Sequence, residues 1–134
     1  MIGRRTKQLA KVLLAIAIGV AIGAAVFWEN IPAFSPYSLS FDSSKWKSAP
    51  AEFSPKSIRL RMVDDLLVTH PLVGLDRAAI AALLGEPDKT PYKAEYDMVY
   101  FLGPERGWIS IDSEWLVIKL DSAGIATKAA IATD

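Results

Sequence analysis

Cysteine is absent from this 134-residue chain, and histidine occurs once, at His70. The first absence removes a disulfide framework, a thiol nucleophile and any zinc site built on thiolates. It also removes lipid attachment at an N-terminal cysteine. The single histidine leaves no histidine-based metal cluster. Net charge is missing too, since 15 Lys/Arg balance 15 Asp/Glu. Nucleic-acid binding needs a basic stripe or patch, and this balance gives no reason to expect it. No glycine-rich phosphate-cradling motif follows any turn. The composition therefore gives no reason to expect nucleic acid, a cofactor, a metal or a small-molecule substrate.

What is present is unevenly distributed. Residues 12–28, VLLAIAIGVAIGAAVFW, carry no charge, whereas Arg4, Arg5, Lys7 and Lys11 precede them without an acid. After that run, 11 Lys/Arg face 15 Asp/Glu, so the body carries about −4. At 1.5 Å per residue the uncharged run gives about 26 Å of helix. Leu9, Ala10 and the snorkelling Lys11 extend it to the roughly 30 Å of a hydrocarbon core. Trp28 stands at the far end, where an amphipathic indole favours the interface. Residues 9–28 are thus expected to contact the lipid bilayer as an anchor. The positive-inside rule then places everything after Trp28 across the membrane. The alternative is a cleavable signal peptide, with small residues at Gly23-Ala24-Ala25. Against it stand a run longer than the usual apolar region and the bulky Val26-Phe27-Trp28 beyond the candidate site. Both of these readings export the body; a third, a buried helix of a soluble fold, would not.

Residues 29–56 are rich in proline and serine, a composition that disfavours helix and reads as a linker. Phe34, Tyr37, Leu39, Phe41, Trp46 and Phe53 exceed what a bare tether needs. YSLSF alternates with the period of a half-buried strand. These aromatic residues either dock on the chain's own domain or add a strand to a partner's sheet.

The folded domain is expected over 57–134. Ile58, Met62, Val63, Leu66 and Leu67 fall near one helical face, with Ser57 as cap and Pro71 as stop. Gly74-Leu75 read as a turn. Asp76 caps a second helix, RAAIAALL, which Gly85 and Pro87 terminate. Strand patterns follow in EYDMVYFLG, with Tyr96, Met98, Tyr100 and Leu102 on one side, and in EWLVIKLD. Asp121 to Gly124 form a turn into IATKAAI. Helices followed by an antiparallel meander read as a two-layer α+β domain, two helices on three strands.

The ordered set of Gly74, the helix after Asp76, Leu84-Gly85-Glu86-Pro87 and the Asp121–Gly124 turn resembles the SmpA/OmlA family, the BamE-like outer-membrane assembly proteins. The resemblance covers residues 57–134 and implies the order helix–helix–three strands. LGPERGWISIDSEW, residues 102–115, is similar to a group of small envelope proteins within that fold rather than to the assembly factor itself. Typical members are lipoproteins tethered through a lipidated cysteine. This chain has none, so the resemblance implies the fold with an inner-membrane helical anchor and a periplasmic domain.

Candidate chemistry is sparse. His70 at a helix end before Pro71 reads as a partner of terminal carbonyls, and no nucleophile elbow accompanies it. Glu105, Arg106, Asp112 and Glu114 cluster between two strands, as paired carboxylates for acid–base or cation chemistry, as surface ion pairs or as a recognition loop. Asp64-Asp65 read as the solvent side of the first helix. Trp108 and Trp115 are candidate interface anchors, with core packing as the competing role of Trp115. The expected partner is another envelope protein, contacted through Glu105, Arg106, Trp108, Asp112, Glu114 and Trp115, and no catalytic residue is expected. The alternative is an accessory subunit of an inner-membrane complex. Gly19 and Gly23 would then allow close helix packing within the bilayer.

Overall fold

The computed structural model describes residues 3, 8, 11, 13–17 and 38–134. The chain divides into two units, Met1–Ser35 and Pro36–Asp134. In the first, the backbone is helical at residues 8, 11 and 13–17, with Leu13, Leu14 and Ile16 exposed. Among the described residues no helix is long and apolar enough to cross a membrane. Most of the expected anchor, residues 9–28, lies outside them.

The second unit is an α+β domain. Its helices are α1 (Ser43–Ser48), α2 (Ile58–Thr69) and α3 (Arg77–Leu84), followed by strands β1 (Met98–Pro104), β2 (Ser113–Leu120) and β3 (Ala126–Thr133). The sheet order is β1-β2-β3, antiparallel throughout. The meander expected from the strand patterns is therefore present.

Local signals place α3. The Asp76 side chain accepts from Ala79 N–H at 2.8 Å, satisfying a donor that has no partner within the helix. Gly85 ends the helix at φ 81° and ψ −179°, a region open essentially to glycine alone. Before α3, the chain is tied to the sheet at Gly74, whose N–H donates to Ala126 O, while Ala126 N–H donates to Leu75 O. In the last turn the Asp121 carboxylate accepts from Ala123 and Ile125 N–H, and Gly124 takes φ 77°.

Three local expectations are corrected. Residues 38–42 form no strand: Leu39 N–H donates to Arg61 O, and Phe41 N–H donates to Asp65 Oδ2. The stretch read as linker holds α1, capped by Asp42, whose carboxylate accepts from Lys45 N–H at 2.8 Å. Pro50 and Pro55 lie beyond this short helix and do not interrupt it. Ser57 does not cap α2 with its side chain; its hydroxyl donates instead to Leu102 O of β1.

The core lies between the helices and one sheet face. Trp46, Leu60, Met62, Val63, Leu66, Leu72, Ile80, Leu84, Met98, Tyr100, Leu102, Leu116 and Ile118 form one buried cluster. Leu39 and Phe41 pack against it and Trp46 is part of it, so these three dock on the chain's own domain, whereas Phe53 is exposed and Phe34 and Tyr37 lie outside the described residues. The opposite sheet face is also apolar. Val99, Trp115 and Val117 are buried there, with Tyr96, Phe101, Ala130 and Ala132 around them. The strand pattern puts Tyr96 on the same side as Met98, Tyr100 and Leu102, and the structure does not. Asp97 N–H already bonds Ile118 O, the partner of Met98, and this irregular start turns Tyr96 to the outer face.

Candidate functional site

The β1–β2 connection, residues 105–112, gathers most of the sequence-derived candidates. It leaves the sheet after the Pro104–Ser113 pair, and Glu105 N–H donates to Asp112 O at 2.8 Å to close its base. A bulge between Phe101 and Gly103 bends β1 just before it. Gly103, at φ 149°, is required there. A Cβ at this position would meet Leu60 Cδ2 at 3.2 Å and Ser54 O at 3.3 Å. The close backbone approach lets α2 support the root of the hairpin.

Arg106 pins the loop. Its backbone N–H and Nε donate to Glu114 Oε1 at 2.9 and 3.1 Å, Nη2 lies 2.9 Å from Glu114 Oε2, and Nη1 lies 2.6 Å from Asp64 Oδ2 on α2. Burial pulls the guanidinium pKa down. The hydrogen bonds it donates to Glu114 and Asp64 more than reverse this, so the group is held charged more firmly than usual. Glu114 is only 5% exposed, so it is a buried anchor and not the solvated acid that a plain hairpin loop implies. Asp64 and Asp65 likewise do more than face solvent. Asp64 receives Arg106, and Asp65 accepts from Phe41 N–H and Thr69 Oγ1.

Beyond this clamp the tip projects three large apolar side chains. Trp108 is 105% exposed, Ile109 73% and Ile111 79%. They are more exposed than any other large apolar side chain among the described residues. The sequence marks Trp108 for interest but not the two isoleucines, although Ile109 and Ile111 flank Ser110 with the spacing of a strand. Their exposure depends on the loop standing clear of the sheet, which local pattern does not encode.

Trp115 does not join this tip. It is 7% exposed on the outer sheet face, its ring 4.9 Å from Phe101 and 6.0 Å from Tyr92, and its Nε1 donates to Asp134 Oδ1 at 3.0 Å. The structure thus places Trp108 at the exposed tip, Arg106 in the clamp, and Glu105 and Asp112 at the base of the loop, with Glu114 beneath them and Trp115 packed elsewhere.

His70 sits at the end of α2. Its Nδ1 lies 2.8 Å from Thr69 Oγ1 and its ring 4.9 Å from Phe41, while its backbone N–H donates to Leu66 O. The side-chain partner is therefore a neighbouring hydroxyl and not the terminal carbonyl expected from sequence. Among the described residues no group of three or more His, Asp or Glu is arranged to hold a metal ion. Comparison of the chain with protein-family models, with curated proteins and with solved structures returns no match.

Proposed function

We propose that the chain is a membrane-anchored, extracytoplasmic protein-binding module of a bacterial envelope, and that the tip of loop 105–112 is its contact surface. One observation carries the reading: Trp108, Ile109 and Ile111 stand in solvent on a loop that Arg106, Glu114 and Asp64 hold in place. Exposed aromatic and aliphatic groups on a pre-organised support are what binding hot spots consist of, because little ordering entropy remains to oppose association. Anionic Glu105 and Asp112 at the base supply a polar rim and favour a partner with basic groups around an apolar pocket.

The localisation rests on sequence. The uncharged run 12–28 behind four basic residues supports an inner-membrane anchor with the domain in the periplasm. The resemblance to the BamE-like family supports a partner in outer-membrane protein assembly or envelope maintenance. The test is co-purification with a C-terminally tagged chain after brief crosslinking in cells. A protein retained by the wild-type chain and lost when Trp108, Ile109 and Ile111 are replaced by serine supports the reading. Equal recovery with both chains removes the loop as the contact surface.

A further inference from the structure

The two edges of the sheet are not equivalent. On β1, Val99 O accepts from Asp88 N–H and Phe101 N–H donates to Asp88 Oδ2, so the outer edge is closed by the segment after α3. These contacts also fix which residues face which way. Val99 and Phe101 point outward, so Met98 and Tyr100 face Ile118 and Leu116 of β2. Along β2 the alternation turns Trp115, Val117 and Lys119 toward β3, where they meet Ala132, Ala130 and Lys128. Ala129 and Ile131 therefore present their N–H and C=O groups away from the sheet. Ala126 is covered by Gly74 and Leu75, and Thr133 O accepts from Lys93 Nζ. No described residue covers Ala129 or Ile131.

Exposed edges are ordinarily guarded by charge, proline or a bulge. The bulge of β3 lies at its start, opposite Lys119–Leu120, before the open stretch. The one charged residue of the strand is Lys128, and its ammonium stands 5.6 Å from the Tyr96 ring centroid, turned back over the sheet. The remaining side chains from 129 to 132 are Ala, Ala, Ile and Ala, half-buried on both faces.

We infer that the β3 edge pairs with the β3 edge of a second copy, antiparallel about a two-fold axis through Ala130. In this register Ala129 of each copy lies opposite Ile131 of the other, so a large side chain always meets a small one on the core face. Four backbone hydrogen bonds form between these residues. On the outer face Ala130 meets Ala130, and Lys128 meets Ala132 with Asp134 of the other copy as its diagonal neighbour, within reach of a long side chain. Lys128 thus never meets the Lys128 of its partner, and it comes within reach of an Asp134 that Lys93 Nζ, 3.7 Å away, shares. Both apolar layers, which end at Ala129 and Ile131 on one face and at Ala130 and Ala132 on the other, continue across the seam.

The cysteine-free chain allows a direct test on the full-length protein. Ala130→Cys places two sulfurs at a non-hydrogen-bonded pair, with Cα atoms about 4.5 Å apart, within the range a disulfide bridges. Ala132→Cys puts the equivalent pair roughly 13 Å apart, four residues out of register. Mild oxidation should link the first variant at ten times the yield of the second or more. Adding Ala129→Pro, which removes an outward N–H and leaves the intrachain ladder intact, should abolish the linkage. Cooperative unfolding of that variant shows that it folds, and the contrast between positions 130 and 132 decides the question without it. No linkage at 130, or equal yields at both positions, would overturn the inference.

Discussion

Glu114 is the residue on which the loop depends. It accepts from the backbone and side chain of Arg106 while nearly out of solvent. Glu114→Ala should lower stability by about 1–2 kcal/mol, the range for losing charge-assisted bonds at a partly solvated partner. Asp64→Ala removes only the outer contact and should cost less than about 1 kcal/mol, as half-exposed pairs do. Denaturant midpoints at constant slope separate the two values. Tyr100 sets a pH limit. Its hydroxyl donates to Gly85 O at 2.8 Å inside the core, and burial, with Glu86 nearby, raises its pKa well above the ordinary 10.0. A group whose folded pKa is raised keeps its full contribution below the unfolded value and loses it as pH rises above it. Thermal stability should therefore fall from about pH 10 upward, and Tyr100→Phe should flatten that decline. A slope unchanged in the variant would assign the alkaline loss elsewhere.

At the scale of elements, α1 separates what the sequence disclosed from what it hid. Asp76, Gly85 and the Asp121–Gly124 turn act on neighbours in sequence, and each does in the structure what its residue type implies. Trp46 acts at long range. It is fully buried between α2 and the sheet, with its ring 6.5 Å from Tyr100 and Arg59 stacked 5.7 Å above it. Nothing in the Pro/Ser composition around it signals that pairing. The same holds for Arg59–Asp88 and for Asp64–Arg106, contacts between segments distant in sequence. The candidate loop was legible as a cluster of charge and aromatic residues. Which members are exposed was not, because burial of Glu114 and Trp115 depends on α2 and on the segment that carries Tyr92. Trp46→Ala should cost about 3–5 kcal/mol, as large-to-small changes in a filled core do. Gly85→Ala should cost about 1–3 kcal/mol through its backbone conformation alone. Calorimetric unfolding of the two variants checks both.

For the molecule as a whole, the boundary of the domain matters more than its element count. The compact unit starts at Pro36, not near Ser57 where the helical pattern begins. A chain starting at residue 57 lacks Leu39, Phe41 and Trp46 and should fail to unfold cooperatively, whereas one starting at residue 36 should do so. The loop tip should behave oppositely. Replacing Trp108, Ile109 and Ile111 with serine removes no packed contact and should leave stability within about 0.5 kcal/mol. Function at the tip is thus separable from the fold. The most direct measurement places a photo-crosslinking side chain at Ile109 of the full-length chain in living cells, with the same group at exposed Lys89 as reference. A discrete protein adduct from Ile109, absent from Lys89 and lost with Glu114→Ala, is the predicted result. Equal labelling from both positions, or none from Ile109, would contradict the assignment of loop 105–112 as the docking surface.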